Sequence, residues 1–262
     1  MSDERTGKDG NDGKGSGSGP FDPNQPDHSR TRRVSGEPVA VELPRPAPTR
    51  APIAGRTVTM EPLDPSRHGP ELYPLLHGDE RRERVWDHLP YGSFPDEAAY
   101  LAWLAEVAPR DDPLFFAVRT HARGRTEGVA TLMEIRPGSG VIEIGHINLS
   151  PALQNSVEAT EALYLLMRHA MTDLGYRRLE WKCNALNAGS RRAATRLGFS
   201  FEGIFYRHSV PKGHNRDTAW FSILDDEWPA IDEHFRSWLD PSNFDADGRQ
   251  MRSLGEMNRA LA

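Results

Sequence analysis

The run from Ala159 to Leu174 constrains the fold more than any other part of this chain. Its apolar residues fall at Ala162, Leu163, Leu166, Met167, Ala170, Met171 and Leu174, the spacing of a helix with one buried face. Gly175 stops it. The next segment, YRRLEWKCNA, alternates, with Leu179, Trp181 and Cys183 on one side and Glu180, Lys182 and Asn184 on the other. That is a strand with one apolar face. A one-faced helix feeding a one-faced strand predicts helices layered on a sheet.

The flanking segments extend this pattern. RTVTMEPL reads as a strand, HGPELYPLLHG as a short helical stretch interrupted by Pro74, and PDEAAYLAWLAEV as a helix opened by Pro95 and followed by Pro109. LFFAVRT, GVATLMEIRPG and VIEIGHINLS are strand candidates separated by tight turns, which suggests an antiparallel meander. After the central helix and strand come a capped helix in NAGSRRAATRLGF, strands in FSFEGIFYRHSV and DTAWFSIL, and a closing helix in DEWPAIDEHFRSWL. The order is α+β, with a mixed sheet between helices. Residues 1–54 combine Gly, Ser, Pro, Asp and Arg with few large apolar residues and read as a disordered tail. Residues 55–240 form the domain, and 241–262 read as a polar extension that packs on the domain or on a partner.

Composition excludes several classes. A formal net charge of −6 argues against general nucleic-acid binding, which relies on basic surface. One cysteine, Cys183, permits no intrachain disulfide and suits a reducing compartment. No signal-peptide core or membrane-length apolar run occurs, so the reading is cytoplasmic, with no membrane partner. The chain lacks a P-loop, a Gly-x-Ser-x-Gly elbow and a His-Glu-x-x-His or Cys/His cluster, so a structured zinc site is not expected.

One succession carries more information: a strand ending at NLSP, the loop QNSVEA, the long helix, the strand EWKCNA, then Asn187-x-x-Ser190, Arg196-Leu197-Gly198-Phe199 and FEG. It resembles the GCN5-related N-acetyltransferase (GNAT) superfamily, and most of all the ribosomal-protein N-terminal acetyltransferase branch, over residues 56–240. The resemblance implies a three-layer α+β fold whose mixed, mostly antiparallel sheet splays at its central strands. It also implies acetyl-CoA as co-substrate, lying between the splayed strands. Ile147 and Leu149 would then offer backbone groups to the pantetheine arm. Gln154, Asn155, Ser156, Val157, Ala159 and Thr160 would form the pyrophosphate loop, where a helix N-terminus suits an anion. Arg192 would reach a phosphate of the cofactor. The family loop usually carries glycine where this chain has Val157, and Glu158 adds a negative charge beside the anion site.

Read from residues alone, Asn187 is a helix N-cap with Ser190 at the third position. The resemblance gives Asn187 a hydrogen bond to pantetheine and Ser190 the role of proton donor to the departing thiolate, with Tyr206 a second candidate. Glu143 is the candidate base that takes a proton from the amine, or else a strand-edge charge turned to water. His146 and Glu134 are alternatives, and strict alternation turns Glu143 and His146 to opposite faces unless a bulge near Gly145 intervenes. Trp86, Tyr91, Phe94 and Trp103 either line the acceptor site or pack the early helices on the sheet. The expected activity is transfer of acetyl from acetyl-CoA to a primary amine through a tetrahedral intermediate. The acceptor could be a protein N-terminus, a lysine, a polyamine or an aminoglycoside-like amine. The competing expectation is a non-catalytic acyl-CoA-binding or protein-interaction module. A homodimer is left open.

Overall fold

A computed structural model describes residues 38–260, and the folded unit runs from Val41. The disorder expected of the tail lies, for residues 1–37, outside the described residues. Residues 41–54, grouped with that tail by composition, belong instead to the folded unit. Two arginines hold them there by donating to carbonyls at or just past helix C-termini: Arg45 Nε to Leu174 O at 3.0 Å, and Arg50 to Ala108 O and Arg110 O. Isolated arginines carry no periodicity, so the sequence gives no local sign of this anchoring.

An eight-stranded sheet forms the centre, with spatial order β1-β2-β3-β4-β5-β6-β8-β7. The strands are β1 (Ile53–Ala54), β2 (Val58–Pro62), β3 (Leu114–Thr120), β4 (Arg125–Arg136), β5 (Val141–Leu149), β6 (Arg178–Asn184), β7 (Ser200–Ser209) and β8 (Arg216–Leu224). Every neighbouring pair is antiparallel except β5 and β6. That parallel pair requires a crossover, and the periodic run supplies it as helix α4 (Val157–Arg168), continued by a π-helical turn over His169–Asp173.

Alternation in the strands divides the core. On one face Phe116, Val118, Leu132, Ile142, Ile144, Leu179, Trp181 and Phe221 pack with α4, with α5 (Ala188–Arg196) and with α6 (Trp228–Leu239). On the other, Phe115, Ala117 and Val129 pack with α1 (Pro65–Leu76), the single turn Arg84–Trp86 and α3 (Glu97–Val107), while the short α2 (Glu80–Glu83) between them buries no residue. The early aromatics Trp86, Tyr91, Phe94 and Trp103 all join this second cluster. Buried Glu161 on α4 accepts the backbone N–H groups of Arg56 and Thr57 at 2.7 and 2.6 Å, pinning the helix to the β1–β2 turn.

The segment beyond residue 240 is not merely polar. Helix α7 (Leu254–Arg259) buries Leu254 and Met257 against α5 and α6, and Asn258 Nδ2 donates to Arg196 O at 2.9 Å. Six residues are too few to display a helical period, which hides the element in the sequence. Among the described residues no helix is long and apolar enough to cross a membrane.

Candidate active site

The parallel ladder between β5 and β6 is short. It joins Val141 to Arg178, Ile142 to Leu179 and Glu143 to Glu180, and then ends, although β5 continues to Leu149 and β6 to Asn184. Beyond Glu143 and Glu180 the facing edges part. On their outer sides both strands stay paired, β5 with β4 and β6 with β8. The opening is therefore a slot within an intact sheet, and the N-termini of α4 and α5 lie just downstream of its two walls.

A bulge shapes the β5 wall. Thr131 pairs with Gly145 but Val129 with Asn148, so one extra residue of β5 is accommodated there, and His146 adopts φ 46°. The alternation therefore resets. Glu143 lies on the sheet face opposite the core residues Ile142 and Ile144, and His146 joins it on that face, stacking on Tyr91 and touching Phe115. Tyr91 Oη and His146 Nδ1 are 2.9 Å apart. Burial, aided by the charges of Arg110 and Arg216, pulls the His146 pKa down to about 4 and holds the ring neutral. Ile147 and Leu149 turn their side chains to the α4 core and leave their backbone at the slot.

Glu143 is 4% exposed, and burial raises its pKa against the opposing pull of Lys182. Lys182 Nζ lies 2.8 Å from Glu143 Oε2 and 3.2 Å from Glu180 Oε2, with its ammonium 4.3 Å from the Trp220 ring centre. The Glu143 contact is an ion pair without good hydrogen-bond alignment. Glu180 has other partners: Arg136 at 2.5 Å and Arg178 at 2.8 Å. Lys182 is thus the cation on which the charge of Glu143 depends. Glu134 lies on β4 with positive φ, and its backbone N–H donates to Asp112; its charge raises the Glu143 pKa slightly.

On the opposite side of the slot, Asn187 caps α5, accepting the Ser190 N–H at 3.0 Å. Ser190 Oγ accepts Trp181 Nε1–H at 3.0 Å. The indole fixes the hydroxyl oxygen, and the hydroxyl remains a donor, turned in part toward Cys183, whose upward pKa shift it opposes. Cys183 is buried nearby, and burial raises its thiol pKa, which disfavours thiolate chemistry. Arg192 is exposed on α5. Tyr206 stands on the edge strand β7, 76% exposed and without a hydrogen-bond partner among the described residues; no contact joins it to Ser190.

At α4 the loop is organised by its own side chains. Gln154 Nε2 donates back to Leu149 O at 3.0 Å, and Asn155 takes positive φ. Ser156 caps the helix by accepting Ala159 N–H, and Thr160 Oγ1 donates to Ser156 O. The first-turn amides of Val157 and Glu158 stay unsatisfied within the helix, as at any helix start. Both departures from the family loop are accommodated. Val157 packs its side chain on the core, and Glu158 pairs with Arg123 at 3.6 Å.

The β7–β8 connection reaches across to the first helices, where Lys212 Nζ donates to Trp86 O at 2.9 Å. Lys182 and this bridge escaped the sequence reading. Alternation puts Lys182 on the polar face of its strand but does not reveal its partner on a strand thirty-odd residues upstream.

A mixed sheet parted beside two helix starts is the architecture of the GNAT acetyltransferases. Residues 57–200 match the model of the acetyltransferase (GNAT) domain, and the chain belongs to that family. It is 46% identical to a GCN5-related N-acetyltransferase from Brucella melitensis, covering 83% of this chain and 98% of that one at a TM-score of 0.81. It is 41% identical to a GNAT-family protein from Chromobacterium violaceum, covering 76% and 98% at a TM-score of 0.70. With a ribosomal-protein-serine acetyltransferase-like protein from Vibrio cholerae it shares the fold, at 16% identity, 66% and 97% coverage and a TM-score of 0.57. No curated protein matches the chain.

Proposed function

We propose that this GNAT acetyltransferase is an N-acetyltransferase, moving an acetyl group from acetyl-CoA to a primary amine in the cytoplasm. One observation carries the reading: β5 and β6 part immediately after Glu143 and Glu180, with a buried carboxylate on one face of the fork and a positioned hydroxyl on the other.

The residues present fit acetyl-CoA. The open edges of Ile147 and Leu149 suit an amide-bearing arm, with Asn187 as a further hydrogen-bonding group. The start of α4, from Gln154 to Thr160, offers first-turn amides and a positive helix end to a pyrophosphate. Arg192 is exposed and able to meet a phosphate. Bound there, the co-substrate supplies a thioester carbonyl open to attack by an amine. An N–H near Ile147 polarises that carbonyl oxygen. Glu143 accepts the amine proton; its upward-shifted pKa brings it nearer to neutrality, where a general base is most effective. Ser190 gives its hydroxyl proton to the departing sulfur. The Trp181 hydrogen bond favours Ser190 over the exposed Tyr206 in this role.

The second reading, a non-catalytic acyl-CoA-binding or protein-interaction module, rests on Val157 and Glu158 in the loop. The inward packing of the valine and the Arg123 partner of the glutamate weaken that motive. Radiolabelled acetyl-CoA offered with a panel of amines separates the two. Label transferred to an amine is the expected outcome; saturable binding without transfer overturns the enzyme reading.

A further inference from the structure

The charge on the Glu143 face is not fully accounted for by its own ion pairs. Lys182 is held by Glu143 and Glu180, and Lys212 by Trp86 O. Arg178 is held by Glu180 and Glu202, and Arg136 by Glu180. Arg216 is different. It is partly buried, its Nε is shielded from solvent, and it makes no ion pair or side-chain hydrogen bond among the described residues.

Its position follows from strand register. Along β8, Ala219, Phe221 and Ile223 enter the α4–α6 core, so Arg216, Thr218, Trp220 and Ser222 share the opposite face. Trp220 there carries Lys182, the partner of Glu143. Arg216 opens β8 next to the end of β6, where Asn184 pairs with Thr218 and Ala185 N–H donates to Asp217 O. It therefore stands at the open end of the slot. Its charge acts on His146, on the opposite wall.

A guanidinium stays protonated under all ordinary conditions, so burial cannot neutralise it. In Arg216 its Nε–H is shielded and unpaired, which is costly unless an acceptor meets it. Its planar fork matches the two oxygens of a carboxylate or a phosphate. We infer that Arg216 binds an oxyanion of the acceptor, so the amine acetylated at Glu143 belongs to a molecule that also carries a carboxylate or a phosphate. This inference rests on the acetyltransferase reading for its catalytic half only. It favours amino-acid-like or phosphorylated amines over polyamines and aminoglycoside-like polycations, which an uncompensated cation repels.

The test has two arms, using the full chain, Arg216→Gln and Arg216→Lys. In the first, calorimetry measures binding of inorganic phosphate and of acetate. Arg216→Gln is expected to weaken it at least about tenfold, and Arg216→Lys, which keeps the charge but loses the fork, by less. Equal binding by all three proteins overturns the inference. In the second, acetyl transfer is compared within matched pairs: phenylalanine against phenylalaninamide, and phosphoethanolamine against ethanolamine. The wild type is expected to prefer one or both oxyanion-bearing members by about tenfold or more in kcat/KM, and the pair that responds identifies the carboxylate or the phosphate. Arg216→Gln is expected to erase the preference by lowering kcat/KM for the oxyanion-bearing member, with the member lacking the oxyanion at or above its wild-type value and the acetyl-CoA KM unmoved. A raised acetyl-CoA KM with the preference intact overturns the inference, because the arginine then serves the co-substrate. Anion binding that depends on Arg216, without transfer to any amine, supports the anion site and sinks the acetyltransferase reading instead.

Discussion

Lys182→Met removes the cation closest to Glu143 while leaving an unbranched side chain over Trp220. In the wild type the ammonium sits 2.8 Å from the buried carboxylate, and the neighbouring Glu180 is satisfied by Arg136 and Arg178. Without Lys182 an ionised Glu143 would be an unpaired buried charge, a penalty of about 3–5 kcal/mol. Glu143 has a cheaper course, which is to take up a proton. From its ordinary value of 4.5 to neutrality this spans about 2.5 pH units, or about 3 kcal/mol at about 1.4 kcal/mol per unit. That is a ceiling, because burial already raises the pKa in the wild type and part of the penalty is present there. The sign follows from linkage. A carboxyl whose folded-state pKa lies above its unfolded value contributes stability that is fully present below the unfolded pKa and lost as pH rises through the folded one. The substitution raises the folded pKa further, so the deficit is smallest near pH 4.5 and grows above it. Urea unfolding at about pH 5 and about pH 7.5 should give a deficit larger by about 2 kcal/mol at the higher pH. The acid limb of the kcat/KM profile should move alkaline by about one pH unit or more. An equal deficit at both pH values, with an unmoved acid limb, would refute the reasoning and reduce Lys182 to a packing residue.

Ser190→Ala should lower kcat by about 100-fold with a smaller change in the acetyl-CoA KM. It also strips Trp181 Nε1 of its acceptor, so thermal unfolding should show a loss of about 1–3 kcal/mol; unchanged kcat would remove Ser190 from the mechanism. Deleting residues 241–262 exposes the faces that bury Leu254 and Met257. Denaturant titration should register a loss of several kcal/mol, at about 1.5–3 kcal/mol per buried side chain, and an unaltered midpoint would show the extension to be dispensable.

What the sequence disclosed tracks the range of the interaction involved. The crossover helix, strand β6 and the Asn187 cap are fixed by neighbours within a few positions, and each lies where local pattern puts it. The facing of Glu143 and His146 was not legible, because the bulge that turns them to one side is set by the register against β4. Lys182 and Arg216 gain their meaning from strands that become neighbours only in the folded sheet. The pairing of Glu158 with Arg123 is of the same kind: the loop motif announces an unfavourable charge, and a distant hairpin turn answers it.

The Asn258 amide that closes the end of α5 lies 62 positions downstream of the carbonyl it holds. Synthesis at about 5–20 residues per second leaves an interval of about 3–12 s in which the helix carrying Ser190 exists without its clasp. During that window the nascent sheet can already assemble from β1 to β6, while the hydroxyl side of the fork waits. The wall of the fork that carries Ser190 is therefore completed late in synthesis, after most of the scaffold has been made.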